Sequence, residues 1–139
     1  MGNGESDREE SAAHRAIRLS KLGQLHPRDM LAALVDGSVI VPSSQMPELT
    51  QGRISAWKPA QLAKPDGSHW VVAFTDQALA SAWCDANPEY GFYFEVGTRW
   101  LLRALPQGAG IVFNMGTDAV MFQWAAHGVA KYAHDVLGW

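Results

Sequence analysis

The sequence predicts a single α+β domain in which a mixed, mainly antiparallel sheet is covered by packed helices. The chain has 139 residues, of which 47% are hydrophobic and 18% charged. This length suits one complete core and is short for two ordinary domains. Some short apolar segments are separated by residues typical of hairpin turns. Other apolar segments are joined by stretches with helical spacing. Hairpins beside crossover helices favour α+β over a purely parallel sheet.

The first 28 residues differ in composition from the remainder. Residues 1–28 contain four acids and five bases and are predicted to be a charged N-terminal extension, partly helical or disordered. A helix is expected from about Glu9 to Leu22, because Ala13 and Ile17 fall at helical spacing. Its apolar stripe is thin, so we expect it to pack loosely or against a partner. Residues 29–139 are predicted to form the folded domain.

Short elements follow in the first half of that domain. Pro27 can occupy the first turn of a helix that ends near Gly37, and a buried strand follows over residues 39–41. Residues 43–55 are predicted to be a polar loop. Strands are expected over residues 57–63 and 69–74, joined by a turn at 64–68, and Pro59 places the first of them at an edge or bulge.

The second half alternates between helices and strands. Asp76 is expected to cap a helix that contains Trp83, and residues 92–96 alternate as a half-buried strand. A helix beginning at Thr98, a strand over 111–113, a strand over 119–124 and a final helix from about 125 to 137 complete the predicted order.

Charge and cysteine content exclude several classes of protein. The formal net charge is −3, so a nucleic-acid partner is not expected. The single cysteine, Cys84, provides neither an intramolecular disulfide nor a cysteine zinc cluster. There is no apolar h-region near the start and no run long enough to span a bilayer. We therefore expect a cytoplasmic protein without a membrane partner.

Four segments resemble one known family in their order along the chain. They are LAALVDGSVIVP (31–42), WVVAFTD (70–76), PEYGFYFEV (88–96) and LLRALPQGAGIVFNMGT (101–117). The stretch from Met30 to Trp124 resembles the SseB N-terminal domain family, named after the enhanced serine sensitivity protein. The resemblance implies a small bacterial α/β domain with no established catalytic residues. The family name associates it with a serine-sensitivity phenotype and, through shared naming, with secretion genes.

No residue pattern reaches the strength of a catalytic or metal signature. Cys84 lies near the end of its predicted helix and precedes Asp85, and both features oppose a thiolate. His127 and His134 share a helix, but a zinc site normally needs three or four ligands. A glycine pair at 108 and 110 precedes a strand, which is the reverse of a dinucleotide loop. We predict no catalytic residue, no cofactor and no metal.

The six tryptophans separate into two groups. Trp70, Trp83 and Trp124 fall on predicted core faces or strand ends, so a structural role is expected. Trp57 lies on a predicted edge strand, Trp100 lies off the leucine face of its helix, and Trp139 is the final residue. Exposed aromatic side chains favour contact with a partner. We therefore predict that Trp57, Trp100 and Trp139 bind a protein partner.

Two functions from different classes fit these sequence features. The first is a non-enzymatic protein-interaction module, secretion- or stress-associated as the resemblance suggests, that binds another protein or a second copy of itself. The alternative is a sensor or enzyme for a small molecule, such as an amino acid or nucleotide, with a pocket near Tyr90, Trp100 and Arg103.

Overall fold

The computed structural model describes residues 10–51 and 53–139. Its α-helices are α1 (Ala12–Lys21), α2 (Pro27–Asp36), α3 (Gln77–Ala86), α4 (Thr98–Ala104) and α5 (Ala126–Asp135), with a 3-10 helix at Asp118–Val120. Its strands are β1 (Ser38–Ser43), β2 (Glu48–Thr50), β3 (Arg53–Ala56), β4 (Gln61–Ala63), β5 (His69–Ala73), β6 (Phe92–Gly97), β7 (Ala109–Phe113) and β8 (Phe122–Trp124). The first nine residues of the predicted extension lie outside the described residues.

Strand pairing confirms the predicted α+β class with a mixed, mainly antiparallel sheet. The largest sheet has the order β4-β5-β7-β8, in which only β5 and β7 are parallel. Strands β1 and β6 form an antiparallel ribbon, and β2 and β3 form a hairpin. Ile40 of β1 and Phe74 exchange both backbone hydrogen bonds at 2.8 Å, so the ribbon continues the large sheet.

The two central strands are buried on both faces. Alternate residues of β5 belong to different hydrophobic clusters, with Val71 and Ala73 in the larger one and Trp70 and Val72 in the smaller one. Helices α1, α2, α4 and α5 contribute to the larger cluster, and α3 covers the smaller one through Ala80. Successive strand side chains point to opposite faces, which explains this division.

Helix α1 packs more closely than its sequence suggests. Ser11 caps it by accepting a hydrogen bond from the backbone N–H of His14, and Ala13, Ala16 and Ile17 are buried in the larger cluster. The expectation of loose packing is wrong, because small alanines allow the helix to approach its neighbours closely while Ile17 fills the contact. The division of the chain at residue 28 stays a prediction.

Three local predictions require correction. The strand predicted over 57–63 begins only at Gln61, and Pro59 forms an isolated bridge with Ser43. The polar loop predicted over 43–55 contains the β2-β3 hairpin. The strand predicted over 119–124 begins only at Phe122, since the backbone N–H of Val120 bonds to Thr117 and its carbonyl accepts from the side chain of Asn114. These local bonds occupy the groups that a longer ladder would need.

Candidate functional site

Three aromatic rings from distant parts of the sequence meet beside the β1-β6 ribbon. The ring of Trp57, just after β3, lies 5.0 Å from Trp100 of α4 and 6.2 Å from Phe94 of β6, between centroids. Both contacts are edge-to-face, an arrangement that aromatic pairs prefer. Trp57 and Trp100 are each half-buried, so one side of the cluster packs on the larger core and the other faces solvent.

A groove of about 450 Å³ opens on the solvent side of this cluster. Its lining, which we call the tryptophan groove, consists of Ile54, Trp57, Trp100, Arg103 and Ala104. Four of the five lining side chains are apolar or aromatic. The fifth, Arg103, supplies one positive charge, so the groove combines apolar surface with a single cation.

Arg103 connects the groove to the third predicted tryptophan. Its guanidinium carbon lies 4.2 Å from the ring centroid of Trp139, within the range of a cation–π contact. The backbone N–H of Trp139 bonds to the carbonyl of Ala133 at 3.0 Å, and the side chain remains 38% exposed. The structure thus brings Trp57, Trp100 and Trp139 to one region of the surface.

The β2-β3 hairpin adds residues that the sequence analysis missed. Ile54 lines the groove and pairs across the hairpin with Leu49, whose side chain is 64% exposed. Directly opposed residues project from the same face of an antiparallel pair, so Leu49 extends the apolar surface of the groove. The available signal was the glycine at position 52 of the sequence, between the apolar residues Leu49 and Ile54.

The pocket predicted near Tyr90, Trp100 and Arg103 does not form as predicted. Tyr90 packs on Trp83 with 5.4 Å between ring centroids and belongs to the smaller cluster on the other side of the sheet. Trp100 and Arg103 line the tryptophan groove without it. The prediction was wrong because Tyr90 follows α3 and packs back onto that helix.

A second and larger concavity lies between the N-termini of α1 and α3 and the β1-β6 ribbon. This polar cleft has a volume of about 770 Å³, and its lining includes Glu10, His14, Thr75, Asp76, Tyr93 and Glu95. The carboxylate of Glu95 accepts a hydrogen bond from the hydroxyl of Ser38, and Glu10 forms a two-bond ion pair with Arg18 at 2.8 Å. The hydrogen bond from Arg18 holds the pKa of Glu10 below its ordinary value.

The floor of the polar cleft is fixed by a buried hydrogen-bond network. The amide oxygen of Asn114 accepts from the backbone N–H of Thr75 at 2.9 Å, and its NH₂ donates to the Thr75 hydroxyl and the Val120 carbonyl. His14 Nδ1 lies 2.8 Å from the same hydroxyl. Asn114 adopts a φ of 57°, which asparagine tolerates better than most residues. The network therefore joins β5, β7 and α1.

The other chemically reactive side chains stand apart from both concavities. Burial, followed by the charge of Asp85, raises the pKa of the Cys84 thiol, which makes a thiolate less available at neutral pH. Within residues 10–51 and 53–139, histidine, cysteine and acidic residues form no group of three or more suited to a metal ion. In the same ranges, no helix is both long and apolar enough to cross a bilayer.

The fold and these two concavities define a small α+β domain with an aromatic, singly charged groove on one side and a polar cleft on the other. Comparison with known families matches residues 13–123 to the SseB protein N-terminal domain. The chain belongs to this family, which confirms the resemblance read from the sequence. Neither the curated proteins nor the solved structures that were searched gave a match.

Proposed function

We propose that this chain is a non-enzymatic protein-interaction module that binds a segment of a partner protein in the tryptophan groove. The observation that carries the proposal is a groove walled by Trp57 and Trp100, in which the guanidinium of Arg103 also contacts the ring of Trp139. Tryptophan and arginine are the residues most enriched among the side chains that dominate binding energy at protein interfaces.

The groove also indicates the chemistry of the segment it would bind. Apolar walls formed by Trp57 and Trp100 suit a large apolar side chain. Arg103 is exposed, and no carboxylate in the described part of the chain forms an ion pair with it. Its guanidinium can therefore bind an incoming carboxylate. We infer a segment in which an apolar anchor stands beside Asp or Glu.

The proposed role does not involve catalysis. Its support is the lining of the groove, where Arg103 is the single ionisable side chain. A guanidinium stays protonated in proteins and does not exchange a proton as a general acid or base. The proposal includes a bacterial, cytoplasmic setting connected with stress or secretion, without a nucleic-acid or membrane partner. The support for the setting is the naming of the family together with the acidic net charge.

Selection of peptides from a random display library on the immobilised chain tests this function. We expect enriched peptides to share an apolar residue next to an acid, and to lose at least tenfold in affinity against the Trp100→Ala and Arg103→Glu variants. Arg28→Glu, an equal charge change at an exposed position on α2, is the matched control and should leave the affinity unchanged. Enrichment that survives both groove variants would reject the groove as the binding site.

A second candidate function rests on the polar cleft. Its volume of about 770 Å³ lies within the range of small-molecule sites, and an imidazole, four hydroxyls and carboxylates converge on it. A sensor for a small polar molecule would use this cleft in place of the pocket expected near Tyr90. A thermal-shift screen with amino acids, amines and nucleotides tests it. The candidate requires a shift that disappears in Ser81→Trp, which fills the cleft from α3, and persists in Trp100→Ala.

A further inference from the structure

Strand β6 has one unpaired edge among the strands that the structure describes. It pairs with β1 alone, with the register running from Ser38 opposite Gly97 to Ser43 opposite Phe92. Its burial falls towards the start of the strand, where Phe92 is 40% exposed and Tyr93 is also exposed. An exposed edge with aromatic side chains is a template for pairing with another strand.

The hydrogen bonds of β1 determine which residues of β6 point outward. Ile40 uses its N–H and C=O to bond Phe74 on the far side, away from β6. Backbone groups alternate in direction along a strand, so the residue opposite Ile40, Glu95, directs its own N–H and C=O away from β1. Tyr93, two residues earlier, does the same. Phe92, Phe94 and Val96 bond to β1.

We propose that this edge pairs antiparallel with β6 of a second copy of this chain, about a two-fold axis at Phe94. In this register Tyr93 stands opposite Glu95 of the second copy, and the reverse pair is identical by symmetry. Each of the two pairs exchanges two backbone hydrogen bonds through the outward-pointing groups. The two ribbons then form one sheet with the order β1-β6-β6-β1.

Side-chain complementarity selects this register over its neighbours. The phenol of Tyr93 can donate to the carboxylate of Glu95 in the second copy, which within its own chain already accepts one bond from Ser38. Centring the axis on Glu95 would place two carboxylates opposite each other, which is unfavourable. Centring it on Tyr93 would pair only the first residues of the strand.

The opposite face of the paired strands is apolar and extends an aromatic surface already present. Phe94 meets its own copy there, and exposed Phe92 stands opposite Val96, whose side chain is already buried in the core of its own chain. Phe94 also contacts Trp57 within its own chain. Each copy contributes its unpaired β6 edge, and the two-fold pairing leaves neither of these edges free. The assembly therefore ends at two copies. It does not depend on the tryptophan groove, whose lining contains no residue of β6.

Sedimentation equilibrium of the full chain over a range of concentrations, with variants at Tyr93, tests the pairing. The wild type should shift from one chain mass to two. Tyr93→Glu places acids opposite one another and should raise the dimer Kd at least tenfold. Tyr93→Lys creates two ion pairs and should lower Kd by about threefold at low salt, an effect that 0.5 M salt removes. The double variant Tyr93→Glu with Glu95→Lys should restore the dimer.

Further variants separate this edge from other surfaces and from misfolding. Glu95→Pro removes an outward N–H while leaving the β1-β6 ladder intact, so it should give a folded monomer by circular dichroism. Trp100→Ala should leave Kd unchanged. A wild type that stays monomeric at millimolar concentration would overturn the proposal. A dimer lost in Trp100→Ala but kept in Tyr93→Glu would also overturn it, in favour of contact through the groove.

Discussion

The tryptophans beside the central strand β7 and those beside the β1-β6 ribbon differ in what surrounds them. Trp70 and Trp124 are only 9% and 6% exposed and approach Gly110 of β7 from both directions. A Cβ at Gly110 would lie 2.7 Å from the Trp124 carbonyl oxygen and 2.8 Å from the Trp70 ring. Trp57 and Trp100, by contrast, contact each other with one side open to solvent.

This difference shows that the same side chain has two roles, determined by how the backbone encloses it. Around Gly110, backbone and rings fill the space, so a change of one methyl group must move the chain. At the ribbon, neighbouring rings can rearrange because solvent forms one wall. The first region should therefore govern stability, and the second should be available for binding.

The largest expected effect comes from truncating one tryptophan in each region. Trp70→Ala should reduce the free energy of unfolding by about 4 kcal/mol, because it leaves a cavity in the smaller cluster. Trp57→Ala should cost less than half as much, since half-buried rings lose less contact. Chemical denaturation of both variants measures the difference. Equal losses would contradict the contrast between the regions.

Adding a methyl group at Gly110 should be almost as damaging. The nearest atom to a Cβ there is the backbone carbonyl oxygen of Trp124, which cannot swing aside. We expect Gly110→Ala to cost about 3 kcal/mol. Gly91→Ala is the matched control, because no atom lies within 4 Å of its Cβ position. A Tm for Gly110→Ala within a degree of the wild type would show that the surroundings of Gly110 have room for a methyl group.

Removing the side chain of Asn114 tests the buried hydrogen-bond network that follows β7. Asn114→Ala deletes the bonds to Thr75 and Val120 and leaves the backbone N–H of Thr75 buried without its acceptor. We expect a loss of about 2 kcal/mol. Asn114→Gly relieves the positive φ but lacks the amide, so its stability separates backbone strain from hydrogen bonding. A fully stable glycine variant would assign the whole effect to the backbone.

A gain in stability is expected next to the ribbon. Thr98 begins α4 and is fully buried, yet its hydroxyl has no hydrogen-bond partner among the described residues. Thr98→Val keeps the shape and removes the unpaired oxygen, so the free energy of unfolding should rise by about 1 kcal/mol. Thr98→Ser keeps the hydroxyl and loses the methyl group, so it should be less stable than the wild type. Thermal denaturation of both variants checks the order.

The smallest effect concerns the docking of α1 and depends on pH. Glu10→Gln removes the ion pair with Arg18, which is partly exposed and should contribute about 0.5 kcal/mol. Because the folded pKa of Glu10 is lowered, its contribution is complete above the ordinary glutamate pKa and is lost as the pH falls through the lowered value. Denaturation at pH 7 and pH 2.5 measures the difference from wild type, which should vanish in acid and shrink in 0.5 M salt.

Much of the fold follows from local patterns in the sequence. Alternation at residues 92–96, the cap at Asp76 and the turn at 64–68 each have one local cause, and each element lies where that cause predicts. The hairpin at 48–56 has no such pattern, and β8 begins three residues later than predicted. Its start depends on the side-chain hydrogen bond from Asn114 to the Val120 carbonyl, which residue spacing does not reveal.

The candidate site was predictable only as separate residues. The sequence predicts exposure of the tryptophans at 57, 100 and 139, and the structure places them in one region. Their proximity depends on pairing between β1 and β6 and on the return of the C-terminal helix, both of which are non-local. The same limit explains the error at Tyr90, since periodicity does not show to which side of a sheet a loop residue turns. The polar cleft, assembled from α1, α3 and the ribbon, had no local signal at all.

The strand pairing has a consequence for how the protein is made. Strand β1 pairs with β6, and β5 pairs in parallel with β7, so each of these two strands has a partner that is synthesised much later. On the ribosome, β1 therefore emerges before β6, and β5 emerges after β4 but before β7, so the nascent chain gains its central pair only after residue 113 has been synthesised. A fragment released before that point leaves the most apolar strands of the protein exposed to aggregation and to chaperones.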